Sequence, residues 1–225
     1  MIKSVSTQLR PPAMSSETIA NLIVESLSRD FILTVDELLE AGAVRAYQKA
    51  KDASDGHLPH VVGTLRHFFM NEAFHAALDG NGGAPTQVRG NRLVVGRIGA
   101  IQLARFNTHR GPWNNARRSK QRLVLAEANK AIEPLVTEDL LDPQPYVEPA
   151  TFTVFFAAVF SPNVRDGERP ISTEIAVPDK DMTGWLFREP IELFLRRYSK
   201  KSVQEDKARP KLKIIKENEA TPPGS

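Results

Sequence analysis

Ten consecutive residues, Thr151 to Phe160 (TFTVFFAAVF), are nearly all apolar. A run of this length without alternation fits a β-strand buried on both faces. It falls well short of the roughly 18 to 20 residues that a membrane-crossing helix needs, and no other apolar run reaches that length. An integral membrane protein is therefore not expected. Ile171 to Val177 reads as the hairpin partner of this strand, across a charged loop from Asn163 to Arg169. A last amphipathic helix is expected over about Pro190 to Tyr198, with Ile191, Leu193, Phe194 and Tyr198 available for burial.

The first 80 residues carry helical patterns instead. Ser15 or Ser16 can cap a first helix whose apolar stripe is Ile19, Leu22, Ile23 and Leu27. Phe31-Ile32-Leu33 reads as a brief strand, and the Thr34/Glu37 spacing starts a second helix at Thr34. A third helix is expected from Pro59, a favoured first-turn residue, to Leu78. Two strand-like runs follow, Arg92 to Val95 and Ala100 to Phe106, joined by a turn over 96–99. A fourth helix is expected from Asn114 to Leu135.

These elements define an α+β chain: a helical N-terminal half, a β-hairpin, a helix, a second β-hairpin and a C-terminal helix. Over residues 17–106 their order is that of a winged helix, an analogy of element order alone. Residues 1–14 read as a flexible leader and 15–199 as one domain, with a sub-boundary near the proline-rich 142–150. Residues 200–225 read as a disordered charged tail. The tail's stretch Lys207 to Lys216 alternates basic and apolar residues, which suits a solvated tail or a strand added to a partner.

Charge is segregated along the chain. The net charge is +3, yet the 47 residues from 80 to 126 contain no Asp or Glu and nine basic residues. Eight of the nine are arginine, whose planar fork suits paired contacts to phosphate or carboxylate. The rest of the chain holds 21 basic and 27 acidic residues. An acid-free, arginine-rich segment is the footprint of a polyanion ligand.

In the winged-helix analogy the third helix would enter a groove and present Arg66 and Asn71, types that pair with guanine and adenine edges. The remaining expected nucleic-acid contacts are Arg92, Arg97, Arg105, His109, Arg110, Arg117, Arg118 and Arg122. Arg117 and Arg118 fall where a helix start disfavours cations, a cost that a nearby anion would relieve. Trp113 either stacks on a base or covers that helix start.

The third helix also carries His60, Thr64, His67, Asn71 and His75 at intervals of three or four, a polar line of neutral groups that suits partial shelter. His67 and His109 are acid/base candidates by residue type, as a metal-independent ribonuclease would need. A hydrogen-bonded structural histidine is the commoner use of such a position. No P-loop, dinucleotide fingerprint, serine elbow or zinc spacing is present, so neither metal nor cofactor is expected.

With no cysteine, the chain has no disulfide or thiol chemistry, which fits a reducing, cytoplasmic compartment. Three functions remain open: a nucleic-acid-binding protein, an RNA-directed toxin of a toxin–antitoxin or defence system, and a module that docks an acidic protein.

Overall fold

The computed structural model describes residues 15–109, 116–136 and 151–199. The leader 1–14, the proline-rich 142–150, the tail 200–225, Arg110 and Trp113 lie outside the described residues.

Ser28 decides where the second helix begins. Its extended backbone and its Oγ, which accepts from the Phe31 N–H at 3.1 Å, cap a helix over Arg29–Ala50. Phe31, Ile32, Val35 and Leu39 then recur at helical spacing and are all buried. The expected strand at Phe31-Ile32-Leu33 is therefore the first turn of this helix. Thr34 lies inside it, its hydroxyl donating back to the Asp30 carbonyl at 2.8 Å.

We label the helices α1 (Ser15–Ser26), α2 (Arg29–Ala50) and α3 (Leu58–Asp79). Gly42 lets α2 and α3 cross closely, since a Cβ there would stand 3.0 Å from the Phe69 carbonyl oxygen.

Five strands follow: β1 (Val95–Ile98), β2 (Ile101–His109), β3 (Phe152–Phe160), β4 (Ser172–Pro178) and β5 (Trp185–Pro190). They form one mixed sheet in the order β1-β2-β3-β4-β5. β2 and β3 run parallel, from Ile101 opposite Phe152 to His109 opposite Phe160. The other pairs are antiparallel, so the two hairpins share one sheet.

Every residue of β3 is buried, because each face has its own cover. Phe152, Val154, Phe156, Ala158 and Phe160 pack with Ile101 and Leu103 under the helices. Phe155 and Ala157 pack with Ala104, Phe106 and Met182 on the other face. That second cover comes from α4 (Lys120–Ala126), whose Leu123, Leu125 and Ala126 meet this cluster.

Several boundaries depart from expectation. The β1–β2 turn falls at Gly99-Ala100, where Gly99 takes φ 56°, whereas Gly96 lies within β1 and is buried. The expected long helix over Asn114 to Leu135 is short: α4 is flanked by 3₁₀ turns at Ala116–Arg118, Glu127–Ala131 and Glu133–Leu135.

Ser119, in extended conformation, divides the first of these turns from α4, its Oγ accepting from Arg122 N–H at 3.4 Å. Buried Asn129 holds the second turn to the sheet. Its amide donates to the Pro178 carbonyl at 2.8 Å, and its Oδ1 accepts from the Thr153 N–H at 2.7 Å.

β5 was not anticipated. The C-terminal helix is two short turns, α5 (Ile191–Phe194) and α6 (Arg196–Ser199). Among the described residues no helix is long and apolar enough to cross a membrane.

Candidate functional site

β1 has four residues and pairs with β2 over Ile101 to Ala104 alone. Beyond Ala104, no strand among the described residues pairs with β2 on that side. A cavity of about 290 Å³ lies at this edge. β2 supplies Arg105, Phe106 and Asn107, while α3 supplies Gly63 and His67. Asn91 and Leu93 close it ahead of β1, and Ser119, Gln121 and Arg122 close it from the α4 side.

Arg105 and Arg122 arrive from opposite faces of the sheet. Strand alternation turns Arg105 toward the helices, with Ile101 and Leu103. It is 2% exposed. One terminal nitrogen donates to the Arg66 carbonyl at 3.5 Å, the other donates to Asn107 Oδ1 at 3.0 Å, and Nε has no partner. Arg122 comes from α4, its guanidinium carbon 5.3 Å from the centre of the Phe106 ring, and its Nε is also unpartnered.

Every ion pair among the described residues lies outside 80–126, so neither arginine has a carboxylate. Burial pushes Arg105 down to about 9, with the Arg122 charge adding to the effect, and burial lowers Arg122 as well. A guanidinium at about 9 is still a cation at neutral pH. Burying such a charge unpaired costs several kcal/mol, and the group that would offset it is an anion.

His67 faces both arginines. Its pKa is lowered by burial first and by Arg105 next; a hydrogen bond to the Asn91 carbonyl acts the other way, and Arg122 lowers it further. Asn71 Nδ2 donates to the Arg92 carbonyl at 3.1 Å and lies 3.3 Å from His67 Nε2. An amide nitrogen only donates, so this contact calls for the tautomer in which Nε2 carries no proton. The Asn91 backbone bonds the ring as well.

Two further cavities adjoin this one. The first, about 380 Å³, shares Gly63, His67 and Asn91 with it and extends along α3 past Thr64 and His60 to Pro59. The second, about 340 Å³, shares Leu93 and Gln121 and is lined further by Val95, Lys120, Val124 and Leu125. Together they form a groove with the two arginines at its middle.

The other expected contact residues are distributed unevenly. Arg66 and Asn71 are turned inward, 5% and 1% exposed. Arg66 donates to the Gly167 carbonyl and stacks 3.8 Å over Phe160, which fastens the β3–β4 loop to α3. α3 therefore presents neither side chain on an outer recognition face.

Arg97 sits at the hairpin opposite Gln102, bonded to the Gly99 carbonyl at 2.9 Å and to Thr151 Oγ1 at 3.4 Å. His109 is exposed at the end of β2, its Nδ1 3.3 Å from the Ser161 carbonyl, and is not on the cavity wall. Arg92, Arg117 and Arg118 are exposed beside cavity-lining stretches of chain. Gly63, Asn91, Asn107, Ser119 and Gln121 were not anticipated; as ordinary loop, helix and strand residues they carry no distinguishing sequence signal.

The chain matches no protein-family model, no curated protein is significantly similar to it, and no solved structure is either.

Proposed function

We propose that this protein binds nucleic acid, seating a backbone phosphate between Arg105 and Arg122. One observation carries the reading: Arg105 is a buried cation with no carboxylate partner among the described residues, and it lines a cavity shared with Arg122, a half-buried cation that also has none. Phosphate oxygens would accept from the two guanidinium groups and supply the missing negative charge. Exposed Arg92, Arg117, Arg118 and Lys120 flank the lining residues in the chain and would extend the contact to neighbouring phosphates. The cysteine-free composition suits a cytoplasmic setting for this role.

Binding is preferred to catalysis. A ribonuclease of this type needs a base and an acid at one phosphate. His67 is engaged by Asn71 and by the Asn91 backbone, and His109 stands off the cavity. Docking of an acidic protein uses the same charges, but a recessed cavity suits a narrow oxyanion better than a flat protein face.

Fluorescence polarisation of a labelled oligonucleotide over a salt series tests the reading. The logarithm of affinity should fall linearly with the logarithm of salt, by about 0.7 to 0.9 per neutralised phosphate. An Arg105→Gln variant should bind weakly at every salt concentration. A flat salt response, or no binding at low salt, would remove the proposal.

A further inference from the structure

The groove has a shape that discriminates between forms of nucleic acid. On a duplex the phosphates ride on a wide, stiff cylinder, and cations that meet them stand proud of the protein surface. Arg105 does the reverse, at 2% exposure on the inner wall of its cavity. A phosphate can reach it only on a backbone thin enough to enter. The cavity's 290 Å³ equals roughly ten waters at about 30 Å³ each, ample room for a phosphate group.

The cavity opens on both sides into its neighbours. Toward α3, Gly63 has no atom within 4 Å of where a Cβ would stand, and it lines both the central cavity and the one leading to His60. The missing side chain keeps that passage open. Toward α4, the neighbouring cavity is floored by Leu93, Val95, Val124 and Leu125, and Val124 is 68% exposed. An apolar floor beside a cationic pocket suits the flat face of an unpaired base next to its own phosphate. Unpaired bases splay readily, whereas stacked and paired ones do not.

Resting on the phosphate reading above, we infer that the groove takes a single strand, with one phosphodiester at Arg105 and Arg122 and the flanking nucleosides in the two adjoining cavities. The strand would run along the groove from His60 past Arg105 to Val124.

The test compares one labelled oligonucleotide, free and annealed to its complement, by polarisation at low salt with the full chain. The free strand should bind about tenfold tighter or better, the size expected from packing a single base. Two variants probe the side cavities. Gly63→Leu fills the passage toward His60 and, by replacing a helical glycine, should leave the fold intact. Val124→Glu places a charge on the apolar floor from an already exposed position. Each should weaken single-strand binding about fivefold or more, judged from the same packing energies. Leu193→Glu, an exposed residue of α5 near the β4–β5 side of the sheet, adds the same charge and should change nothing.

Equal or tighter duplex binding overturns the inference and leaves the phosphate reading in place. So does unchanged single-strand binding in both groove variants. Absence of salt-sensitive binding to either form removes the phosphate reading itself.

Discussion

Arg105 and Arg122 reach one cavity from opposite faces of the same sheet, Arg105 beneath α3 and Arg122 across the ring of Phe106. Neither meets a carboxylate among the described residues. Two like charges held this way work against the fold.

Replacing Arg105 with methionine should separate stability from binding. Exchanging buried ionic groups for apolar side chains of similar size is neutral to stabilising by about 1–4 kcal/mol, and the acceptors Arg105 would leave are the Arg66 carbonyl, inside α3, and the half-buried Asn107. For a chain of this size each kcal/mol moves the melting temperature by about 2–4 °C. Arg105→Met should therefore melt at or above the parent temperature while losing affinity about tenfold or more, the loss of a charge-assisted hydrogen bond. A melting temperature well below the parent would make Arg105 a structural group.

Lys120 lines the apolar end of the groove and is exposed. In Lys120→Ala the salt dependence of single-strand binding should become shallower by about 0.7 in log–log slope, one phosphate contact fewer. Affinity at low salt should drop several-fold. An unaltered slope would place Lys120 outside the contact.

His67 sets a pH dependence. Burial, then Arg105 and Arg122, hold its folded-state pKa below the ordinary value near 6.5. Between that folded value and about 6.5 the unfolded chain binds more protons, so stability falls as pH drops through this window and levels off below it. His67→Gln should flatten this part of the curve of melting temperature against pH. A phosphodiester in the cavity opposes the two cations, so parent affinity should rise on acidification over the same window and the variant's should not. Identical curves for parent and variant would show that His67 does not titrate this way.

Arg66 provides the contrast to Arg105: it is as sheltered, also lacks a carboxylate among the described residues and also has an unpartnered Nε, but it lines none of the three groove cavities. It donates to the Gly167 carbonyl and covers Phe160. Burial lowers its pKa to about 10. Arg66→Gln should cost about 1–3 kcal/mol in a denaturant titration, because a buried carbonyl loses its donor. Oligonucleotide affinity should stay at the parent level. Loss of affinity with stability intact would move Arg66 into the binding site.

From the sequence alone, the apolar run at 151–160 required a strand covered on both faces, and helical spacing placed α1 and α3 nearly to the residue. The same reading singled out the acid-free segment and the polar line through His60, Thr64 and His67, which borders the groove. These features depend on neighbours within a few residues, and the chain displays such neighbours directly.

Tertiary structure decided the rest. β2 pairs in parallel with β3, about 50 residues further along, a contact between distant segments that no local pattern announces. That pairing, the four-residue length of β1 and the break in the helix at Ser119 create the edge where the cavity lies. In the sequence Arg97, Arg105 and Arg122 look alike. Strand alternation buries the second, a hairpin ties up the first, and a seven-residue helix swings the third over Phe106. Which cation is left facing an acid-free cavity depends on what packs against it, and packing is a property of the assembled fold.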